Sequence, residues 1–398
     1  MINLPVAERM SRLGTETAFE VLVKARALEA KGKHIVHLEI GEPDFDTPQH
    51  IKDAAVEALK DGFTHYGPSA GLPQLRQAIV EYVQRSRGVT ADIDQVVVTP
   101  GAKPILFFAI LACVNAGDEV MYPNPGFPIY ESVANFIGAT PVPLALREEH
   151  DFRLNVQELK DKLTDRTRMI ILNSPQNPTG SMMTREDIEA VAEIVRGRNL
   201  VVLTDEVYSQ MTYGQEHVSL YSMPGMQDQT ILLDGFSKTY AMTGWRLGYG
   251  VMEPALAARI ARLMTNSNSC TSSFTQMAGV AALNGPHDDV RAMMEEFARR
   301  RDIIVDSLNA IPGIRCRPPA GAFYAFPNVE GVGMPAHDFA DYLLNEAGVA
   351  ALAGRSFGEY GDGYIRLSYA NSVENLQEAL RRIARAAEAI RRPVGATR

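Results

Sequence analysis

Between residues 49 and 285 the chain repeats one local pattern: a short run of valine, isoleucine and leucine, a turn, and often a stretch with helical spacing. The runs are QVVVT, DEVMYP, TPVPLAL, RMIILNS, LVVLTDEVY, TILLDGFS and RLGYGVM, with helical stretches such as AKPILFFAILACVNA and REDIEAVAEIVRGR between several of them. A sheet with one wet face alternates apolar and polar residues, and these runs do not. Strands of this kind are covered on both faces, as in a mostly parallel α/β sheet.

The flanks read differently. TAFEVLVKARALEAKG is expected to be an amphipathic helix, and HIVHLEIGEPDFDTP a short strand entering a turn. After Gly285 come a long amphipathic helix, DDVRAMMEEFARRRDIIVDSLNA, a strand-like YIRLSYA and a closing helix from about Val373. The expected organisation is an N-terminal arm with part of a small domain (1–48), a large ligand-binding domain (49–285) and a C-terminal small α+β domain (286–398).

A chain of 398 residues is long enough for two domains, and its net charge of −9 has no basic run that would suit nucleic acid. Cys113, Cys270 and Cys316 form no CxxC and cannot all pair, which fits a reducing cytoplasm. The first residues lack an apolar signal core. The longest apolar run, Ile105 to Val114, is about half of the roughly 20 residues a membrane span needs, and reads as a buried helix. The expectation is a cytoplasmic protein acting on small molecules, with no membrane or nucleic-acid partner.

In open α/β sheets, ligands bind outside the carboxyl ends of the strands. QVVVT ends in Pro100-Gly101-Ala102-Lys103 and opens a helix, RMIILNS ends in Pro175-Gln176-Asn177, LVVLT in Asp205-Glu206-Val207-Tyr208, and TILLDGFS in Lys238. Each alone has a plain structural reading. Asp205 can cap a turn, Asn177 precedes a proline, and Tyr208 can be a core aromatic. Lys238 and Arg246 are harder to explain, because two cations in so apolar a region need an anion or a covalent partner.

Pyridoxal 5′-phosphate satisfies all of these groups at once. Its aldehyde needs the Lys238 amine, and its ring nitrogen stays protonated beside a buried carboxylate, Asp205. Its phenolic oxygen takes donors from Asn177 and Tyr208. Its phosphate suits the helix start at Gly101-Ala102 together with Arg246. Phe127 in YPNPGFPIY can stack on the ring or be a core aromatic.

GFSKTYAMTGWRLG resembles the lysine signature of class I/II aminotransferases of PLP fold type I. NSPQNPTG, TDEVYS, LEIGEPDFDTP, THYGPSAGLPQLR, PPAGAFYAFP and GYIRLSYA are similar to that family's other blocks, in the same order, from about residue 10 to 390. The resemblance implies a large domain with a mostly parallel seven-stranded sheet covered by helices, and a smaller α+β domain. It also implies that Lys238 is the cofactor-bonding lysine and proton shuttle, that Ser237 joins Arg246 at the phosphate, and that Arg366 clamps the substrate α-carboxylate beside Gly41. Tyr66 matches a tyrosine that reaches the neighbouring subunit's phosphate, so a homodimer is expected. Phe127 stands where many relatives carry tryptophan or tyrosine. Arg355 stands where they carry a small or hydroxyl residue, and reads as a surface charge or a further anchor near the mouth of the site.

The reaction implied is ping-pong transamination between an L-amino acid and a 2-oxo acid. Lys103 resembles a lysine that binds the distal carboxylate in some bacterial aspartate aminotransferases, with Thr15 and Thr17 near the substrate, which favours aspartate or glutamate. Neutral or aromatic amino acids remain open, as does a C–S β-lyase on the same fold. A nicotinamide dehydrogenase lacks its GxGxxG here, and a PLP-binding regulator lacks the extra length for a DNA-binding part.

Overall fold

The computed structural model describes residues 5–391; the first four residues of the expected arm and residues 392–398 of the expected C-terminal domain lie outside them. Helix α1 (Thr17–Glu29) leads to strand β1 (Val36–His37), α2 (Gln49–Lys60) and α3 (Pro73–Arg87). The repeating part follows: β2 (Val96–Thr99), α4 (Lys103–Cys113), β3 (Glu119–Asn124), α5 (Ile129–Ile137), β4 (Thr140–Ala145), α6 (Val156–Lys162), β5 (Thr167–Asn173), α7 (Arg185–Val195), β6 (Val201–Asp205), β7 (Thr230–Gly235) and β8 (Gly248–Val251). Then come α8 (Pro254–Ser267), α9 (Ser273–Asn284), α10 (Asp288–Asn309), β9 (Tyr324–Ala325), α11 (Ala336–Tyr342), β10 (Val349–Ala350), β11 (Leu352–Ala353), β12 (Ile365–Ser368) and α12 (Val373–Arg391).

All seven apolar runs of the repeating part enter one sheet, in the order β2-β8-β7-β6-β5-β3-β4. Only β8 runs against its neighbours. Successive side chains point to opposite faces, and both faces are apolar. Val97, Val120, Met169 and Ile171 pack beneath α4, α5 and α8, whereas Val96, Val98, Met121, Ile170 and Val202 enter the cores on the other face. That double burial is why the runs show no alternation. The edge strand β4 is the exception: its first residue is exposed, and Pro141 and Pro143 remove donors that an edge does not need.

A second layer follows β8. β11, β12 and β9 form a small antiparallel sheet, and β1 pairs in parallel with β10. Its core is built on Phe297, Phe323, Leu367 and Ile383, with the Phe297 and Phe323 rings stacked at 5.3 Å. Helix α1 departs from expectation. It buries only Ala25, while Phe19 and Val23 are 58% and 69% exposed. Its inner side, with Val21 and Leu28, rests on this layer, and Ala18 packs on the large-sheet core. Among the described residues, no helix is long and apolar enough to cross a membrane.

The start of α4 lies directly on β8. A Cβ on Gly248 would stand 2.6 Å from Ala102 Cα and from the Gly101 carbonyl carbon, so the close approach needs glycine. Gly248→Ala should therefore lower stability by roughly 1–3 kcal/mol, read as a lower midpoint in urea at unchanged slope.

Candidate active site

Parallel pairing sets Asn173, at the carboxyl end of β5, beside Asp205 at the end of β6, and Asp205 beside Leu233 of β7. Beyond these ends lies a cavity of about 540 Å³, roofed by Ile40, Gly41 and Glu42 and closed from the second layer by Arg366 on β12. Of the residues singled out from the sequence, Gly41, Ala102, Lys103, Phe127, Asn177, Asp205, Tyr208, Ser237, Lys238, Arg246 and Arg366 line it. Gly101 stands just behind, where a Cβ would overlap the Arg246 guanidinium. Tyr66 is not brought in: it is 90% exposed, in a separate groove with Cys270 and Thr271.

Lys238 keeps some surface because it lines the cavity. Burial nonetheless pushes its ammonium down to about 8; Glu42 opposes the shift, and Arg366 and Arg246 add to it. The amine donates to the Gly41 carbonyl and lies 5.7 Å from the Phe323 ring centre and 6.0 Å from that of Tyr208. Asp205 is buried, and burial pushes its carboxyl up to about 6. Tyr130 Oη donates to its Oδ2 at 2.7 Å, and the Val207 N–H to Oδ1 at 3.4 Å, both favouring the ionised form.

Glu206, one residue on, faces away from the cavity. There Arg87, from the end of α3, meets Glu206 at 3.1 Å and Asp234 at 2.7 Å, all three buried, with His217 Nε2 3.0 Å from Glu206. Burial alone would raise the Glu206 carboxyl, but His217 and Arg87 outweigh it and hold it near 2. A paired, hydrogen-bonded network thus underlies the floor of the cavity.

On the opposite wall, Arg366 is buried between the rings of Tyr324 and Phe357, 4.6 Å and 4.9 Å from their centres. Nη1 donates to Asn177 Oδ1 at 3.2 Å and Nη2 to the Glu39 carbonyl, while Nε is buried with no hydrogen-bond partner. A buried charged donor without a partner is costly, and an anionic ligand atom would supply one. Tyr324 Oη lies 2.7 Å from Tyr208 Oη, and a Cβ on Gly41 would overlap it, which accounts for the glycine.

The phosphate-sized end is bounded by α4 and Arg246. Ala102 precedes α4 and no side chain caps the helix; Pro104 has no N–H and the Ile105 N–H donates to the Ala102 carbonyl at 3.0 Å, so an anion would be met at the very start, by Ala102 and Lys103. Arg246 holds a left-handed backbone (φ 54°) and donates from Nη1 to the Thr243 carbonyl at 2.8 Å. Asp205, Lys238, the α4 start, Arg246 and the unpartnered Arg366 Nε are a donor and acceptor set that fits pyridoxal phosphate together with a substrate carboxylate.

One expectation is corrected. Thr15 and Thr17 do not line the cavity; Glu16, Ala18 and Phe19 do, because the turn into α1 points the intervening side chain inward. Lys103 reaches the cavity with its ammonium already paired to Glu16 and 5.3 Å from the Phe127 ring centre. Arg355 is a surface charge, 64% exposed and 3.8 Å from Asp362. Phe127 meets Tyr130 edge-on at 5.8 Å.

The sequence reading passed over Tyr130, Asn173, Tyr324, Glu16 and Arg87. Asn173 could have been found as the polar end of a buried strand. Arg87 closes an ordinary amphipathic helix, and nothing local marks it.

Residues 33–383 match the family described as "Aminotransferase class I and II". The chain is 40% identical over 386 residues to an aspartate aminotransferase of Pyrococcus horikoshii, covering 96% of this chain and 97% of that one. The solved aspartate aminotransferase of Rhizobium meliloti superposes with a TM-score of 0.93 at 38% identity, covering 97% and 99% of the two chains. An aromatic aminotransferase of Pyrococcus horikoshii superposes with a TM-score of 0.87 at 40% identity, covering 92% and 99%.

In cofactor-free protein, the neutral, reactive fraction of the Lys238 amine should rise with pH through a midpoint near 8 rather than near 10.5. Rates of reductive labelling by a small aldehyde, with the labelled peptide quantified by mass spectrometry across pH 6–11, would check this.

Proposed function

The chain belongs to the class I and II aminotransferases, enzymes that use pyridoxal phosphate and act on amino acids and 2-oxo acids, and from that premise we propose that aspartate or glutamate is its amino donor. The observation that carries the reading is a cavity holding two cations beyond those the cofactor needs, the buried Arg366 and the more exposed Lys103. They suit the two carboxylates of an acidic substrate.

When bound, pyridoxal phosphate supplies an aldehyde to carry the amino group and a ring that accepts electrons from the substrate Cα. In the proposed assignment Arg366 fixes the α-carboxylate through its free Nε, between two aromatic faces that keep water off. Lys238, lowered toward neutrality, would take the substrate Cα proton and deliver it to the carbon that was the cofactor's aldehyde. Asp205 keeps a proton on the ring nitrogen, and Tyr130 holds that carboxylate in place. With its Oδ1 engaged by Arg366, Asn177 has its NH₂ end left for the phenolic oxygen, alongside Tyr208. Arg246, Ser237 and the start of α4 receive the phosphate. A homodimer would let the exposed Tyr66 of each subunit serve its partner's phosphate.

Holoenzyme given single amino acids without an acceptor should release one 2-oxo acid per active site and no ammonia, fastest with aspartate or glutamate. Continuous release of pyruvate and ammonia would instead mark a C–S β-lyase. Lys103→Ala should raise KM for aspartate and glutamate roughly 10- to 100-fold, the loss of one charge-assisted hydrogen bond, and leave alanine within about twofold. Equal effects on all three in steady-state kinetics would remove the acidic assignment.

A further inference from the structure

In the proposed chemistry Arg366 takes the α-carboxylate, Arg246 the phosphate, Lys238 the aldehyde and Asp205 the ring nitrogen. Of the other charged groups on the cavity wall, Glu42 accepts from Thr243 Oγ1, and Lys103 and Glu16 are closed on each other. A dicarboxylate directed to Lys103 therefore finds a carboxylate already there.

We propose that Glu16 is a specificity-determining residue: it occupies Lys103 as an internal stand-in for the substrate's distal carboxylate, staying paired when the substrate side chain is uncharged and giving way when a dicarboxylate binds. The inference rests on the acidic reading of Lys103 given above.

Three features fit an exchangeable pair. Lys103 opens α4, so its backbone is fixed, and its ammonium lies against Phe127, which leaves it pointing along one wall. Glu16 is the residue before α1 but makes no side-chain hydrogen bond to that helix, so its carboxylate is not required as a cap. The two side chains are 41% and 18% exposed, so opening the pair returns charges to water rather than leaving one stranded inside.

The electrostatics work in both directions. With Glu16 in place, a distal carboxylate at Lys103 would put two anions around one ammonium, and like charges at contact repel. With Glu16 absent, a neutral side chain would lie beside an unpaired, partly desolvated ammonium. A ping-pong enzyme takes two substrates in turn through one pocket, and a resident carboxylate that can leave serves both an acidic partner and a neutral one. Phe19, on the first turn of α1 and also on the cavity wall, offers apolar surface to the uncharged substrate.

The test is binding to the holoenzyme of two non-reacting acids, succinate and propionate, by calorimetry, with steady-state KM for aspartate and alanine alongside. Glu16→Gln should tighten succinate and lower KM for aspartate by roughly two- to fivefold, the scale of one part-exposed ion pair, without tightening propionate or alanine. In a Lys103→Ala background the effect of Glu16→Gln should vanish. Glu16→Asp, one methylene shorter, should shift succinate the same way by less. No change in either acid, equal tightening of both, or a gain that persists without Lys103 would overturn the proposal. The acidic reading of Lys103 fails separately, if Lys103→Ala alone leaves succinate and aspartate unaffected.

Discussion

Parallel pairing of β5, β6 and β7 sets a row of chain ends side by side along one edge of the sheet, with Asn173 and Asp205 in register. The site depends on that row. Parallel strands need crossovers, the crossovers cover both faces, and polar groups at the strand ends meet in a place that water reaches poorly. Tyr130 and a backbone N–H meet the Asp205 oxygens and oppose the effect of burial on its carboxyl. Behind it, Arg87 pairs with both acids that point the other way, Glu206 and Asp234.

The cavity belongs to two layers. The sheet supplies Asp205, Lys238 and the α4 start, whereas Arg366 and Tyr324 come from the smaller layer and Gly41 from the segment that follows β1. Groups fixed on different bodies can be brought to a shared ligand with different pressures on each. The buried Arg366 Nε, without a partner, and Lys238, held near neutrality, are both poised for something other than protein. Proteins accept such costs at functional sites and offset them with packing elsewhere.

How far the sequence could be read follows from which signals are local. Seven apolar runs lacking alternation announced strands covered twice, and all seven pair in one sheet. Lys238 and Arg246 stood out because each is a charge in apolar company, and Asp205 because it ends such a run; all three line the cavity. Thr15 and Thr17 misled, because the path of the turn into α1, and not residue type, decides that Glu16 faces inward. The exposed stripe on α1 misled as well: its apolar residues promised an amphipathic helix buried on one side, but Phe19 and Val23 stay mostly exposed, Phe19 at the cavity wall.

By itself, then, the sequence determined the doubly covered parallel sheet, the end of it that carries ligand chemistry, and the charges that have no business in a core. Hydrophobic pattern and misplaced charge are properties of neighbouring residues, so one chain suffices to read them. Only the tertiary structure decided that Tyr130 holds Asp205, that Tyr324 fills the space a side chain at Gly41 would need, and that Glu16 covers Lys103. The hydrogen bonds of Tyr130 to Asp205, Tyr208 to Tyr324 and Lys103 to Glu16 join residues 75, 116 and 87 positions apart. Such contacts are set by how two layers pack, and no local spacing along the chain carries them.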